Sequence, residues 1–319
     1  MKKYDVAAMG ELLIDFTQNG YSEQGNPVFE ANPGGAPCNV LAMLQKLGRK
    51  TAFIGKVGQD GFGLQLEKAL KETGISTDGL CFDKEVHTTL AVVQKKEDGD
   101  RDFSFYRKPG ADMMLCAEEV NEDLIRNAAI FHYGSLSLTD EPVRTATVSA
   151  IEEAEKAGVL LSFDPNLRKP LWESEELAKK QIRYGLGHCH VLKISDDELV
   201  WLTGEQDYEK AIQQLRSEFP IPLILLSMGK NGSRAYCGEE TAEAPAFLSE
   251  NTIETTGAGD TFMGCMLHQI LEKGYQNLST RDMEEMLIFA NAAASIITTR
   301  RGALRVMPEE EEILKRISF

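Results

Sequence analysis

The stretch Ile253-Glu254-Thr255-Thr256-Gly257-Ala258-Gly259-Asp260-Thr261-Phe262-Met263-Gly264 is the most informative in the chain. Gly257, Ala258 and Gly259 run directly into apolar residues at helical spacing (Phe262, Met263, Met266, Leu267, Ile270, Leu271), and Gly274 marks a natural helix stop. Small residues at a helix start let backbone N–H groups close around an anion, and the positive end of the helix dipole adds attraction. Asp260 falls in the first turn, where the same dipole favours an ionised carboxylate. A bare anion hole would do better without that negative charge. The combination suits a site that takes up a proton and stabilises developing phosphoryl charge, as a phosphotransferase must. Read blandly, the same residues are a glycine-softened loop with an acidic first turn.

Outward from this stretch, short apolar runs alternate with amphipathic segments. The pattern predicts strands at Asp5–Met9, Thr51–Ile54, Ile130–Tyr133, Val159–Phe163, Val191–Ile194, Leu223–Ser227 and Ser233–Cys237. Helices are predicted near 36–47, 61–72, 141–156, 174–185, 207–217, 258–273 and 282–298, with the methionines at 263, 266, 283 and 286 on core faces. The alternation implies an α/β fold, a mostly parallel central sheet with helices on both faces. Residues 86–108 break it. Val86–Lys95 and Arg101–Lys108 alternate with period two around Asp98-Gly99, a hairpin signal with no crossover helix behind it. With the strand-like segments 11–18 and 27–32 they form a small β-sheet lid. The expected division is a body of residues 1–10, 33–85 and 109–319 and a discontinuous lid of residues 11–32 and 86–108.

The bulk composition narrows the function classes. With 34 basic and 50 acidic residues among 319, the net charge is −16, which disfavours nucleic acid and anionic membrane surfaces as partners. Any anionic ligand must therefore be held by local groups. Apolar runs such as Leu223–Leu226 are far too short to span a bilayer, and the four apolar residues after Tyr4-Asp5 are too few for a secretory signal. Six scattered cysteines without a Cys-x-x-Cys pair read as reduced thiols, so the expected location is cytoplasmic. No Gly-x-Gly-x-x-Gly follows the first strand, and Gly229-Lys230 lacks the rest of a Walker loop. A phosphate-handling enzyme without either motif needs another architecture.

Most polar clusters come directly after predicted strands: Gly10–Asp15, Gly134-Ser135, Asp164–Arg168, Lys193–Glu198 and Ser227–Gly232. Open parallel sheets bind ligands beyond the carboxyl ends of their strands, so these clusters converge on one rim. At this point the residues resemble the ribokinase-like (PfkB) carbohydrate kinases, and within them the fructokinases. The resemblance rests on Gly34-Gly35-Ala36-Pro37-Cys38-Asn39-Val40-Leu41-Ala42 and on Glu254–Asp260. Between them lie Phe105–Asp112, Asp164–Arg168 and Leu171-Trp172. It runs from Gly10 to about Gly302, with Glu254 standing where the family usually has Asp, which bears on a neighbouring monovalent-cation loop.

The resemblance implies ATP-dependent phosphorylation of a sugar, fructose to fructose 6-phosphate, on a ribokinase-like fold. Asp260 would be the general base, and the backbone of Gly257, Ala258 and Gly259 the anion hole. Asp15, Gly34, Gly35, Asn39, Arg107, Asn166 and Arg168 would contact the sugar or its phosphate, with Arg107 reaching in from the lid. Lys193, Ser227, Gly229, Gly232 and Asn291 match positions on the ATP side, and Glu198 resembles an acid that holds Mg²⁺ through water. K⁺ and a homodimer formed through the lid are further implications. Each has a plainer counterpart: Asn39 as a helix cap, Arg107 as a solvated strand-end charge, Asn291 as tight helix packing, and Glu198 as half of a capping box with Ser195. Three other functions compete. A 2-dehydro-3-deoxygluconate kinase would use Arg107 and Arg168 for a carboxylate. A non-catalytic sugar sensor would be expected to lose Asp260 or the glycine run. A dinucleotide-dependent dehydrogenase would need the absent fingerprint.

Overall fold

The computed structural model describes residues 2–95 and 101–318. In chain order the elements begin β1 (Tyr4–Met9), β2 (Leu13–Tyr21), β3 (Pro27–Gly34), α1 (Ala36–Lys46), β4 (Thr51–Gly58), α2 (Gly61–Thr73), β5 (Ser76–Asp83), β6 (Leu90–Lys95) and β7 (Arg101–Tyr106). They continue with α3 (Glu122–Arg126), β8 (Ala128–Gly134), α4 (Val143–Lys156), β9 (Leu160–Asp164), α5 (Glu175–Gly187), β10 (Val191–Ser195), α6 (Asp196–Thr203) and α7 (Tyr208–Glu218). The chain closes with β11 (Leu223–Ser227), β12 (Ser233–Cys237), β13 (Glu240–Ala244), α8 (Ala258–Lys273), α9 (Thr280–Ile297) and α10 (Glu310–Ile317).

Nine strands form one sheet in the order β13-β12-β11-β10-β9-β8-β1-β4-β5, parallel except where β12 pairs with β11 and β13. Alternate residues of a strand point to opposite faces, and each face is apolar. Val6 and Ala8 of β1, with Leu223 and Leu225 of β11, join one core with Val40, Leu44, Met263, Met266, Met283 and Met286. Ala7, Met9, Ile224 and Leu226 join the opposite core with Ile151, Ile182, Leu199 and Leu215. This is the α/β architecture that the alternation implies. β5 and β13 escaped the periodicity because they are edge strands: Ser-Thr-Asp-Gly and Glu-Thr-Ala-Glu-Ala leave one side in water and need few apolar residues.

A second sheet has the order β3-β2-β6-β7, with β2 parallel to β6 and the other pairs antiparallel. β6 and β7 pair from Leu90↔Tyr106 to Lys95↔Arg101; the expected Asp98-Gly99 turn lies outside the described residues. β8, β9, β10 and β11 end at Gly134, Asp164, Ser195 and Ser227, so the polar clusters beyond them share one rim. Among the described residues no helix is long and apolar enough to cross a membrane.

Candidate active site

Helix α8 starts as its sequence suggests. Gly257 holds φ +77, a left-handed conformation that suits glycine, and a Cβ there would sit 2.8 Å from Ala303 Cβ. No side chain caps the helix, so its first-turn N–H groups face the cavity in front of it. Ala258 differs from its neighbours: its N–H turns back to the Thr255 carbonyl at 3.2 Å. Lys193 Nζ stands 3.2 Å from the position a Cβ on Gly259 would take, which brings a cation to the same helix start.

Two cavities meet there. One, of about 590 Å³, is walled by Glu11, Leu13, Asp15, Gly35, Asn39, Phe105, Leu136, Asn166, Arg168, Lys193, Glu254, Gly257, Gly259 and Asp260. The other, of about 500 Å³, is mostly apolar, with Phe247, Phe262, Ala246 and Ala294 beside Ser227, Gly229, Gly232, Ala258 and Asn291. Thr252, Thr255 and Gly259 border both, so the start of α8 is the seam between a polar and an apolar chamber.

The polar cavity is rich in acids. Burial pushes the carboxyl of Asp260 above its ordinary value, while the Asn39 amide (Nδ2 donating to Oδ2 at 2.8 Å) and the charges of Lys193 and Arg168 pull it back. Burial likewise raises Asp15 to about 7, against the opposing charge of Arg168. Glu11 also reaches about 7 by burial, although its Oε1 accepts the Ala36 N–H at 2.8 Å. Asp164 is raised to about 6 by burial despite its ion pair with Lys193 at 3.0 Å. Burial alone would lower Lys193, but the charges of Asp164, Glu198 and Asp260 outweigh it and raise its pKa. Asn39 Oδ1 is buried without a hydrogen-bond partner among the described residues. A cavity of this kind offers acceptors to an uncharged, hydroxyl-rich molecule and resists a second anion.

Four residues stand otherwise than the sequence expectations put them, and a fifth, Asn291, stands in the expected chamber with its amide engaged. Arg107, expected at the sugar, is 3% exposed, follows the end of β7 and stands behind the polar cavity's wall rather than in it. Asp112, Thr139 and the Leu136 carbonyl take its N–H groups, because a charge this deeply buried needs such partners. Glu198 follows its plainer reading: Oε2 accepts Ser195 N–H in a capping box and Oε1 accepts Leu167 N–H at 2.7 Å. Gly34 does not line the cavity; a Cβ there would collide with the Asp15 carboxylate, so it backs that side chain instead. Lys193 borders the polar cavity rather than the apolar one. Asn291 lines the apolar chamber, yet both ends of its amide are used, Oδ1 by Ser233 and Nδ2 by the carbonyls of Ala244 and Pro245.

Other wall residues were not among the expected ones. Glu11, Leu13 and Asp15 follow at spacing two and line the same wall, so alternation from Asp15 back to Glu11 was an available signal. Glu254 accepts Gly302 N–H at 2.7 Å and ties the segment before α8 to the one after α9. Phe105 shares a strand face with Arg107 by the period of two, whereas nothing local in the sequence marks Leu136 or Phe247 as walls.

The chain belongs to the pfkB family of carbohydrate kinases, whose model matches residues 3–310. It is 43% identical over 312 residues to probable fructokinase-4 of Arabidopsis thaliana, covering 97% of this chain and 95% of that protein. The solved structure of fructokinase from Xylella fastidiosa with bound ATP matches at a TM-score of 0.89 and 31% identity, covering 99% of this chain and 98% of that one. Fructokinase from Vibrio cholerae O395, in fructose-, ADP- and calcium-bound form, matches at a TM-score of 0.88 and 29% identity over 98% of both chains.

Proposed function

We propose that this chain transfers the γ-phosphoryl group of ATP to a hydroxyl of D-fructose, giving fructose 6-phosphate. The observation that carries the reading is Asp260, in the first turn of a helix without a side-chain cap at the seam between a polar and an apolar chamber. Sugar occupies the polar chamber and the nucleotide base the apolar one, so the γ-phosphate lies across the start of α8. Asp260 accepts the hydroxyl proton as oxygen attacks phosphorus, oriented by the amide of Asn39. The N–H groups of Gly257 and Gly259, with Ala258 completing the turn and Lys193 alongside, stabilise the charge that develops. Asp15, Gly35, Asn39 and Asn166 meet the sugar hydroxyls and Arg168 stands at the mouth. Ser227, Gly229, Gly232 and Asn291 shape the nucleotide chamber. The lid, residues 11–32 and 86–108, closes over the body and keeps out water that would otherwise take the phosphoryl group.

Mg²⁺ enters as part of the MgATP substrate. The described residues hold no group of three His, Cys, Asp or Glu able to cage a metal, and both oxygens of Glu198 already accept backbone N–H bonds. No step here runs through a protein-held metal. K⁺ dependence concerns the Glu254–Gly302 junction, and replacing K⁺ by a tetraalkylammonium ion reads it. The outer strands of the lid, β3 and β7, offer the face for a homodimer, which light scattering reads. Six unpaired thiols accord with a cytoplasmic setting.

The keto-acid kinase reading is disfavoured by charge: Arg107 is engaged with Asp112, Lys193 is paired with Asp164, and Arg168 would face Glu11, Asp15, Glu254 and Asp260 around one cavity. The silent-sensor reading is disfavoured by the intact Asp260 and glycine run. ADP release with MgATP against fructose, ribose, glucose and 2-dehydro-3-deoxygluconate tests the proposal. Fructose-dependent turnover supports it, activity on the keto-acid alone reassigns the substrate, and sugar binding without turnover favours the sensor.

A further inference from the structure

The lid joins the body through a buried polar knot that the proposed chemistry does not use. Arg107, the residue after β7, donates from Nε to Asp112 Oδ2 at 2.7 Å. Its terminal nitrogens donate to Thr139 Oγ1 and to the Leu136 carbonyl, each at 3.0 Å. The other oxygen of Asp112 accepts the hydroxyl of Thr89, the residue before β6. Thr139 Oγ1 itself donates to the Leu136 carbonyl at 2.9 Å. Gly110 packs so tightly here that a Cβ would collide with Thr89 Oγ1. Arg107 and Asp112 are 3% and 4% exposed, so this is an ion pair withdrawn from water.

Such pairs add little net stability over apolar replacements, and their best-attested use is to impose one geometry. The geometry imposed here reaches the cavity's wall. Both connections that carry the β6–β7 hairpin end on Asp112, and the same guanidinium grips the segment after β8. Two residues before Arg107, Phe105 lines the polar cavity from the lid, and Leu136, whose carbonyl Arg107 holds, lines it from the body. We propose that Arg107 and Asp112 are positioning residues that lock Phe105 of the lid in register with Leu136 of the body in the wall of the sugar cavity, and that this register couples phosphoryl transfer to the sugar rather than to water. The coupling half of this inference rests on the kinase reading; the locking half stands on the lid alone.

The test compares Arg107→Lys, Asp112→Asn and the milder Thr139→Val, which removes the two hydrogen bonds of one hydroxyl, leaves both charges in place and is the variant least at risk of misfolding. Two readouts are taken. The first is amide exchange of β6 and β7 in the ligand-free protein. The second is the ratio of phosphate released from ATP to sugar phosphate formed, alongside KM for fructose and for ATP. Loss of one charge-assisted hydrogen bond corresponds to about ten-fold or more. The proposal expects faster exchange of the lid strands in all three variants and about a ten-fold rise in the hydrolysis ratio and in the sugar KM, with ATP KM unmoved. Arg107→Lys with Asp112→Asn together should do no more than either alone. A rise in sugar KM confined to the Arg107 variant, with exchange and hydrolysis ratio unchanged, would return Arg107 to direct sugar contact and overturn the proposal. Unchanged lid exchange in all folded variants overturns it as well. A wild-type protein without turnover on any sugar refutes the kinase reading instead, and the exchange data still decide the lock.

Discussion

Replacing Asp260 by Asn isolates proton transfer from everything else the residue does. The carboxylate has one hydrogen bond from a neighbouring side chain, Asn39 Nδ2 at 2.8 Å, and the amide oxygen of the replacement side chain can accept it equally well. Helix α8 is not capped by the residue, and its surroundings need no repacking for an isosteric change. The property lost is the ability to hold a proton, worth about 10²–10⁴ in turnover, or roughly 3–5 kcal/mol of barrier. Affinity for ATP should not fall, because the substitution removes a negative charge beside the anion hole. The pH profile supplies a second signature. Burial raises the Asp260 carboxyl, so wild-type activity, which needs the ionised form, should decline on the acid side at a pH above the ordinary carboxylate range. The Asp260→Asn variant should lose that limb. Coupled ADP-release assays across pH at saturating fructose and ATP, with a melting curve for each protein, measure both effects. Turnover within about ten-fold of wild type, with the acid limb retained, would refute the assignment of Asp260 as base.

Three further outcomes rest on the geometry. Lys193→Met leaves Asp164 buried without its partner at 3.0 Å, so urea unfolding should register a loss of about 3–5 kcal/mol and ATP-dependent turnover should collapse; undiminished stability would contradict the pairing. Gly35→Ala forces φ +125 on alanine and drives its Cβ into the Glu11 carbonyl, costing about 1–3 kcal/mol and raising the sugar KM, whereas an unchanged KM would mean the turn does not shape the cavity. Asp15 is raised to about 7, so the folded state holds its proton more tightly than the unfolded chain does. Its contribution to stability is fully present below the ordinary carboxylate pKa and is lost as pH rises through about 7. Asp15→Asn should therefore raise the melting temperature of the sugar-free protein at pH above about 7 and not near pH 4, while weakening sugar binding. An equal shift at both pH values would count against a buried, protonatable Asp15.

Much of the molecule is legible in local stretches of the chain. The period of two in the strands and of three to four in the helices is a property of backbone geometry, so the doubly covered sheet, the lid hairpin arms and the start of α8 can be read within windows of a few residues. The convergence of Asn166, Arg168 and Lys193 on one cavity is legible at one remove, since parallel strands deliver the residues at their carboxyl ends to a common rim, where Asp15 of β2, Asn39 of α1 and Asp260 of α8 join them. The capping box at Ser195 and Glu198 is equally local.

The partners of buried charges are not legible in this way. Arg107 was expected to face a ligand because the residues around it resemble the fructokinases, and the chain there does not say that the Leu136 carbonyl and Thr139, some thirty residues on, lie within reach. The amide of Asn291 similarly goes to β12 and to the end of β13, more than forty residues away. The sequence alone determined most of the helices and strands, the edge strands β5 and β13 excepted, and which residue types stand at the helix start, because those depend on local periodicity and steric freedom. The tertiary structure decided which polar group each buried side chain satisfies, because that depends on distances in space and on the cost of leaving a charge unpaired away from water.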